Sequence, residues 1–337
     1  MFPTAPDTDS VDERGLFVVQ DPILRSKILP LFTFDPTVAD NRPIGHGTTF
    51  RIDPWSRCVT AFHILEDVLD LRSIKERQDG RVSFNTKSNV SLIALEMNGV
   101  FFGRVRVPDN AWRPIADQYI IFKIERSPLM YLDARNLLEL AVLRIRPSVM
   151  GPKGTPYLSV DLSNWRPTIG ERILALGYAD LDAREEGDAD DRPIAQYLYG
   201  SYAEITHVEP ANGNSTRPWP RFRVKATWPG GMSGGPVFNE AGHVIGLVSS
   251  GFDSVDESTA MFFSGWAFPR QSLGSIDPNN PGWFRCHAAF HSNGNIAAFG
   301  DNRDEISQIG RKKQLTDFAM ASVNPITRSH IRLSEYR

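Results

Sequence analysis

Between about residues 15 and 275 the chain is built from short β-type runs, each cut off after a few residues by Gly, Pro, Asn or Asp. This texture constrains the fold more than any other feature of the sequence. Gly15-Leu-Phe-Val-Val, Thr48-Thr-Phe-Arg-Ile, Cys58-Val-Thr-Ala-Phe, Phe101-Phe-Gly-Arg-Val and Tyr119-Ile-Ile-Phe-Lys-Ile occupy the first half. Ile173-Leu-Ala-Leu, Ala203-Glu-Ile-Thr, Arg221-Phe-Arg-Val, Val244-Ile-Gly-Leu-Val and Met261-Phe-Phe occupy the second. Strands at this spacing, without long helices between them, bury their apolar faces by closing into barrels or sandwiches. The spacing over Ile64–Ile74 predicts a short helix. A cluster of Pro, Arg and Gly between about 125 and 150 divides the runs into two sets. The expected organisation is a loose, polar N-terminus (1–14), an N-terminal β-barrel (15–135), a C-terminal β-barrel (136–275) and a short mixed extension (276–337) with a helix around Asp304–Ala321.

With 337 residues the chain is long enough for two cores side by side. Its net charge of −3, with no polybasic stripe, speaks against a nucleic-acid partner. The longest apolar runs are strand-sized, so no membrane-spanning helix is expected. The first residues lack the charged and apolar regions of a secretory signal. Only two cysteines occur, Cys58 and Cys286. Together these point to a reducing, cytoplasmic setting, although one bridge between the two thiols is also open. The acidic stretch 178–197 has no apolar period and reads as a solvated surface loop. Its Asp180, Asp182, Glu185, Asp188, Asp190 and Asp191 match no calcium-loop spacing, no Cys/His set has zinc spacing, and no metal or cofactor is expected.

The strongest chemical signal is Gly230-Gly-Met-Ser233-Gly-Gly-Pro-Val-Phe238. A serine hydroxyl becomes a nucleophile only when a base takes its proton and donors wait for the oxyanion. Glycines let the backbone turn tightly enough to aim two N–H groups into one space, here those of Gly231 and Ser233. The same residues satisfy the G-x-S-x-G nucleophile elbow, which requires a helix after the serine. Pro236-Val-Phe-Asn-Glu-Ala-Gly-His-Val-Ile-Gly-Leu-Val reads instead as strand, turn, strand. Of seven histidines, His63 stands at the end of a buried-type run, whereas His46 and His243 sit in turn-like sequence. Asp117 precedes the apolar run Tyr119-Ile-Ile-Phe and suits the carboxylate that orients such a base; Asp109 and Asp67 do not immediately precede a buried strand.

The blocks VTAFH around His63, DQYIIFKI from Asp117 and GGMSGGPVF around Ser233, in the order His, Asp, Ser, resemble the trypsin-like (chymotrypsin-fold) serine proteases. Gly45-His-Gly-Thr-Thr-Phe, Gly242-His-Val-Ile-Gly-Leu-Val-Ser-Ser-Gly and Gly265-Trp-Ala-Phe-Pro add to the likeness, which spans residues 15–275 and is closer in style to the HtrA-like branch. The resemblance implies an all-β fold of two six-stranded antiparallel barrels and a serine endopeptidase with Ser233 as nucleophile, His63 as base and Asp117 orienting it. It implies Gly231 and Ser233 as oxyanion donors, and a specificity pocket formed by Thr227, Trp228, Ser249, Ser250, Gly251, Gly265 and Ala267. No charge in that set favours a basic residue before the cut, so a small or medium uncharged side chain is expected. Met232 stands where digestive relatives carry an activating Asp, which removes their mode of activation. The 60-odd residues after 275 are too few for a PDZ domain.

The expected partners are a protein or peptide substrate and a regulatory protein, the latter ordering the oxyanion loops through the C-terminal tail or the 178–197 loop. A pseudoprotease that grips peptides along 249–251 and an esterase using the same nucleophile are the competing readings.

Overall fold

The structure, a computed structural model, describes the chain apart from residues 7–10, 39–42, 67, 77–81, 88, 97–108, 127–131, 146–154, 163–164, 182–196, 216, 252–256, 265–269, 271 and 336–337. The described residues are mostly strand. β1 (Leu16–Val18), α1 (Pro22–Lys27), β2 (Ile28–Phe34), β3 (Ile44–Arg51), β4 (Arg57–Thr60) and α2 (His63–Glu66) open the chain. β5 (Leu69–Glu76), β6 (Val82–Thr86), β7 (Ser91–Leu95), β8 (Trp112–Arg126) and β9 (Leu132–Ile145) follow. The second half contains β10 (Arg172–Tyr178), β11 (Leu198–Glu209), β12 (Arg221–Val224), β13 (Pro236–Phe238), β14 (Val244–Gly251) and β15 (Ser258–Phe262). After these come β16 (Phe284–Phe290), β17 (Ile296–Gly300), α3 (Arg303–Lys312), β18 (Asp317–Val323) and β19 (His330–Glu335).

Two six-stranded antiparallel barrels result, as the resemblance to the trypsin-like proteases implies. The first closes in the order β2-β3-β4-β9-β8-β7, and β5 and β6 project from it as a separate hairpin. The second runs β11-β10-β13-β14-β15-β12 and closes where β12 pairs back with β11. Closure removes the unpaired edges that an open sheet would present. Phe50, Val59, Leu138 and Leu143 are fully buried in the first barrel, and Ile173, Phe222, Val237 and Ile245 in the second.

Several boundaries differ from the sequence reading. β9 belongs to the first barrel and runs to Ile145, so a division at 135 would cut a strand: its two edges pair with β4 and β8. β1 joins the second barrel through β11, although it precedes the whole first barrel in sequence. The apolar spacing over 64–74 produces only the single turn α2; β5 takes up the rest in a hairpin with β6. The described residues of the N-terminus, 1–6 and 11–14, are held rather than loose. The Phe2 ring meets Tyr202 edge-on at 5.2 Å, the Tyr202 hydroxyl donates to the Thr4 carbonyl at 2.8 Å, and Val11 bridges to Phe17. A few apolar residues in a polar stretch suffice for this because the second barrel supplies their partners.

The extension after 275 forms a small layered unit: the antiparallel sheet β17-β16-β18-β19 with α3 packed on β16 and β17. The expected helix over 304–321 ends at Lys312, and Asp317–Val323 is a strand whose alternate residues Ala319, Ala321 and Val323 are buried. Asn302 caps α3, its side chain accepting from the amides of Asp304 and Glu305. The unit docks on the β3–β4 turn of the first barrel. Phe284 lies edge-on to Trp55 at 5.6 Å and to Tyr157 at 5.0 Å, and Arg57 donates to Ser275 Oγ at 2.6 Å. Cys58 and Cys286, one in each unit, are buried free thiols, and burial pushes both up to about 12. No helix among the described residues is long and apolar enough to cross a membrane.

Candidate functional site

β4 ends at Thr60, and the chain turns directly into α2 with His63 as its first residue. Ala61, Phe62, Ile64 and Leu65 are all buried on either side of it. These apolar anchors hold the backbone in the barrel wall while the imidazole stands at the rim with 38% of its side chain exposed. Its Nδ1 is hydrogen-bonded to Oε1 of Glu139, a carboxylate of which only 6% is exposed.

Glu139, rather than Asp117, is therefore the carboxylate on His63. Strand register gives the reason. Asp117 pairs with Arg144, and Arg144 with Arg57. That places Asp117 abreast of the start of β4, the end of that strand away from His63. On β9, Ala141 pairs with Thr60. Continuing that register brings Glu139 abreast of Phe62, beside the histidine. The β8–β9 ladder is irregular at this place, jumping from Ile120↔Ala141 to Phe122↔Asn136. Between these pairs β9 has residues 137–140 where β8 has only 121, and this mismatch forms a bulge, the device by which strands re-aim a side chain. Asn136 holds it, its Oδ1 accepting from the Leu138 amide at 3.0 Å. The sequence carried the signal: Glu139-Leu-Ala-Val-Leu-Arg-Ile is an acid immediately before an apolar run, the criterion that selected Asp117. Of the weaker candidates, Asp109 opens a single 3-10 turn and Asp67 lies outside the described residues.

Several groups act on the His63 proton. Burial opposes the charged imidazolium, whereas the Glu139 hydrogen bond and charge favour it. Glu66 also favours it and Arg217 opposes it, and the net direction is upward from the ordinary imidazole range.

Ser233 lies in the loop before β13. Pro229 accepts from the Met232 amide at 3.2 Å across a tight turn in which Gly231 takes a φ of 90°. A Cβ at Gly231 would lie 2.3 Å from the Tyr178 carbonyl, so both conformation and space require glycine there. Gly234 has a φ of 81°, and a Cβ on it would stand 2.3 Å from Thr60 Oγ1 and 2.8 Å from the Ala61 amide. The serine loop thus presses against the chain two residues before His63.

Thr48, fully buried on β3, ties this loop to the first barrel. Its amide donates to the Ser233 carbonyl at 2.8 Å and its hydroxyl to the Gly231 carbonyl at 2.7 Å. The same hydroxyl accepts from the Tyr178 amide at 2.9 Å, and the Thr48 carbonyl accepts from Thr60 Oγ1 at 2.7 Å. Sequence reasoning had placed Thr48 only within a strand. The amides of Met232, Gly234 and Gly235 find carbonyl acceptors, while those of Gly231 and Ser233 have none among the described residues. The Ser233 hydroxyl donates to the Ser249 carbonyl at 3.3 Å, a long and weak bond.

Of the expected pocket residues, Thr227 is exposed and Ser249 is buried. Trp228 packs into the apolar interior of the second barrel, its amide donating to Ser258 Oγ at 2.9 Å. Ser250 and Gly251 lie on β14 opposite Thr259 and Ser258. Gly265 and Ala267 are outside the described residues. Met232 is fully buried in the same apolar cluster as Trp228. Asp180 pairs with Arg14 at 2.7 Å, while the other acids named in the 178–197 stretch are outside the described residues.

Residues 47–247 match the family model of the trypsin-like peptidase domain. No curated protein sequence matches the chain. Among solved structures, the protease Anisep from Arthrobacter nicotinovorans is similar at 13% identity over 71% of this chain and 90% of its own, with a TM-score of 0.42. Rv3671c from M. tuberculosis H37Rv, in an inactive mutant form, is similar at 14% identity over 82% and 97%, with a TM-score of 0.41. Deg5 is similar at 14% identity over 71% and 84%, with a TM-score of 0.40.

Proposed function

The chain belongs to the trypsin-like peptidase family, and from that premise we propose that it is a serine endopeptidase in which Ser233 is the nucleophile, His63 the general base and Glu139 the group that orients the base. The observation that carries this reading is the His63–Glu139 hydrogen bond, formed at the rim against which Thr48 fastens the serine loop. With Nδ1–H held by a carboxylate, the imidazole presents Nε2 in the basic tautomer. Rotation of the Ser233 hydroxyl away from the Ser249 carbonyl gives Nε2 its proton as Oγ attacks the scissile carbonyl. The free amides of Gly231 and Ser233 receive the oxyanion. His63 then returns the proton to the leaving amine, and water hydrolyses the acyl-enzyme by the same sequence.

The absence of charge at Thr227 and Ser249 supports a small or medium uncharged residue before the cut. Met232 in an apolar cluster leaves no acid to serve as an activation switch next to the serine. Regulation by a partner is better placed at the C-terminal unit, whose Asp301 lies 3.8 Å from Arg57 at the root of the strand that delivers His63. The test is covalent labelling by a fluorophosphonate together with casein cleavage. Both should be present in the purified chain and absent in Ser233→Ala; labelling that survives this substitution would overturn the assignment.

A further inference from the structure

The connection between β11 and β12 forms a cleft of about 270 Å³ lined by His207, Glu209, Asn212, Arg217, Trp219 and Arg221, among others. The cleft is built rather than open loop. Asn212 N–H donates to the Pro218 carbonyl at 3.0 Å, Ser215 N–H to the Asn212 carbonyl at 3.0 Å, and Arg217 N–H to Ser215 Oγ at 3.2 Å. Glu209 is spent on two partners: Arg221, and Arg223 at 2.8 Å. That leaves Arg217, an exposed guanidinium that forms no ion pair among the described residues. Its charge is among those that act on the His63 proton, opposing protonation of that ring. A second observation points to a ligand. Trp219 is only 5% exposed, and its indole N–H is buried without a partner among the described residues. A buried donor left unpaired destabilises the fold, a penalty that an incoming acceptor would remove.

We propose that this cleft binds a carboxylate-bearing side chain of the peptide substrate, with Arg217 as the charged contact and the Trp219 N–H as a second donor. The inference rests on the peptidase reading above and adds to it a preference for Asp or Glu at one position flanking the cut. A guanidinium and a neutral N–H suit a carboxylate, and the indole face with Val208 and Pro210 can cover its methylene stem. Neutralising Arg217 would also ease protonation of His63 in the complex.

The experiment takes a peptide that the full chain cleaves and compares Glu with Gln, and Asp with Asn, at each of the four positions on either side of the scissile bond. At one position the acid should raise kcat/KM on the order of tenfold. That ratio should fall to about one in Arg217→Ala, reverse toward Lys in Arg217→Glu and recover in part in Arg217→Lys. Trp219→Phe, which keeps the packing, should weaken it. Binding of the same Glu and Gln peptides to Ser233→Ala, read by fluorescence polarisation, should show the same preference without turnover. Cleavage with a Glu/Gln ratio near one at every position, or a ratio that Arg217→Ala leaves unchanged, overturns the inference and leaves the peptidase standing. No cleavage and no labelling would overturn the peptidase reading, whereas a Glu preference in binding alone would still support the cleft.

Discussion

At His63 a single proton is contested by burial, two carboxylates and one guanidinium. The carboxylates prevail, so the folded imidazole holds its proton to a higher pH than the ordinary value of about 6.5. A base must be neutral to act, so kcat/KM should rise with pH through a value above about 6.5. In Glu139→Gln that limb should move down, and kcat should fall by about 10²–10⁴ because the wrong tautomer is no longer disfavoured. The sign for stability is opposite to that for activity. A raised histidine contributes stability that is fully present below its unfolded value and is lost as pH rises through the folded value. The stability gap between wild type and Glu139→Gln should therefore be wider at pH 5 than at pH 8, which urea titrations at the two pH values would measure.

Whole strands meet at Glu96, which follows β7. Its Oε1 accepts from Arg51 of β3 at 2.8 Å and its Oε2 from Arg113 of β8 at 2.7 Å. Arg51 is 1% exposed, so this carboxylate neutralises a charge that the barrel has removed from water. Glu96→Ala should cost about 3–5 kcal/mol, because it leaves a buried guanidinium uncompensated. Burial pushes the Glu96 carboxyl up, but the two arginines outweigh it, and the net direction is down. Its contribution is thus present above the usual carboxylate range, near 4.3, and fades as pH falls through the lower folded value. Wild type should lose stability on acidification more steeply than the alanine variant, as thermal melts between pH 3 and 6 would show. The β9 bulge is a second decision taken at this scale. Asp117 and Glu139 both precede apolar runs, and only the pairing of β9 with β4 separates them.

Across the whole molecule, each barrel carries part of the candidate site, and Thr48 hydrogen-bonds from the first barrel to Gly231, Ser233 and Tyr178 of the second. The C-terminal unit adds a third body. Phe284 completes a buried aromatic group with Trp55 and Tyr157, and Asp301 lies 3.8 Å from Arg57 and 3.7 Å from Arg144. Each aromatic pair is worth about 0.5–1.5 kcal/mol beyond its burial. Removing residues 276–337 would strip this cover from the β3–β4 turn. The truncated chain should melt at a lower temperature and bind a hydrophobic dye, in calorimetry and fluorescence respectively; equal melting of the two forms would show that the unit adds no stability to the barrels.

The alternation of short apolar runs with turn residues determined an all-β architecture of barrels or sandwiches, because such strands must bury one face against another sheet or by closing. The glycines around Ser233, and a histidine at the end of a buried run, were equally local signals, legible because turn conformation and strand burial constrain residue type directly. The partner of His63 was not local. Two acids carried the same sequence signature, and the register of β9 against β4, set by pairing across the barrel, chose Glu139. The fastening of the serine loop by Thr48 likewise arises from contacts between distant segments, which depend on how the barrels close and pack rather than on any pattern along the chain.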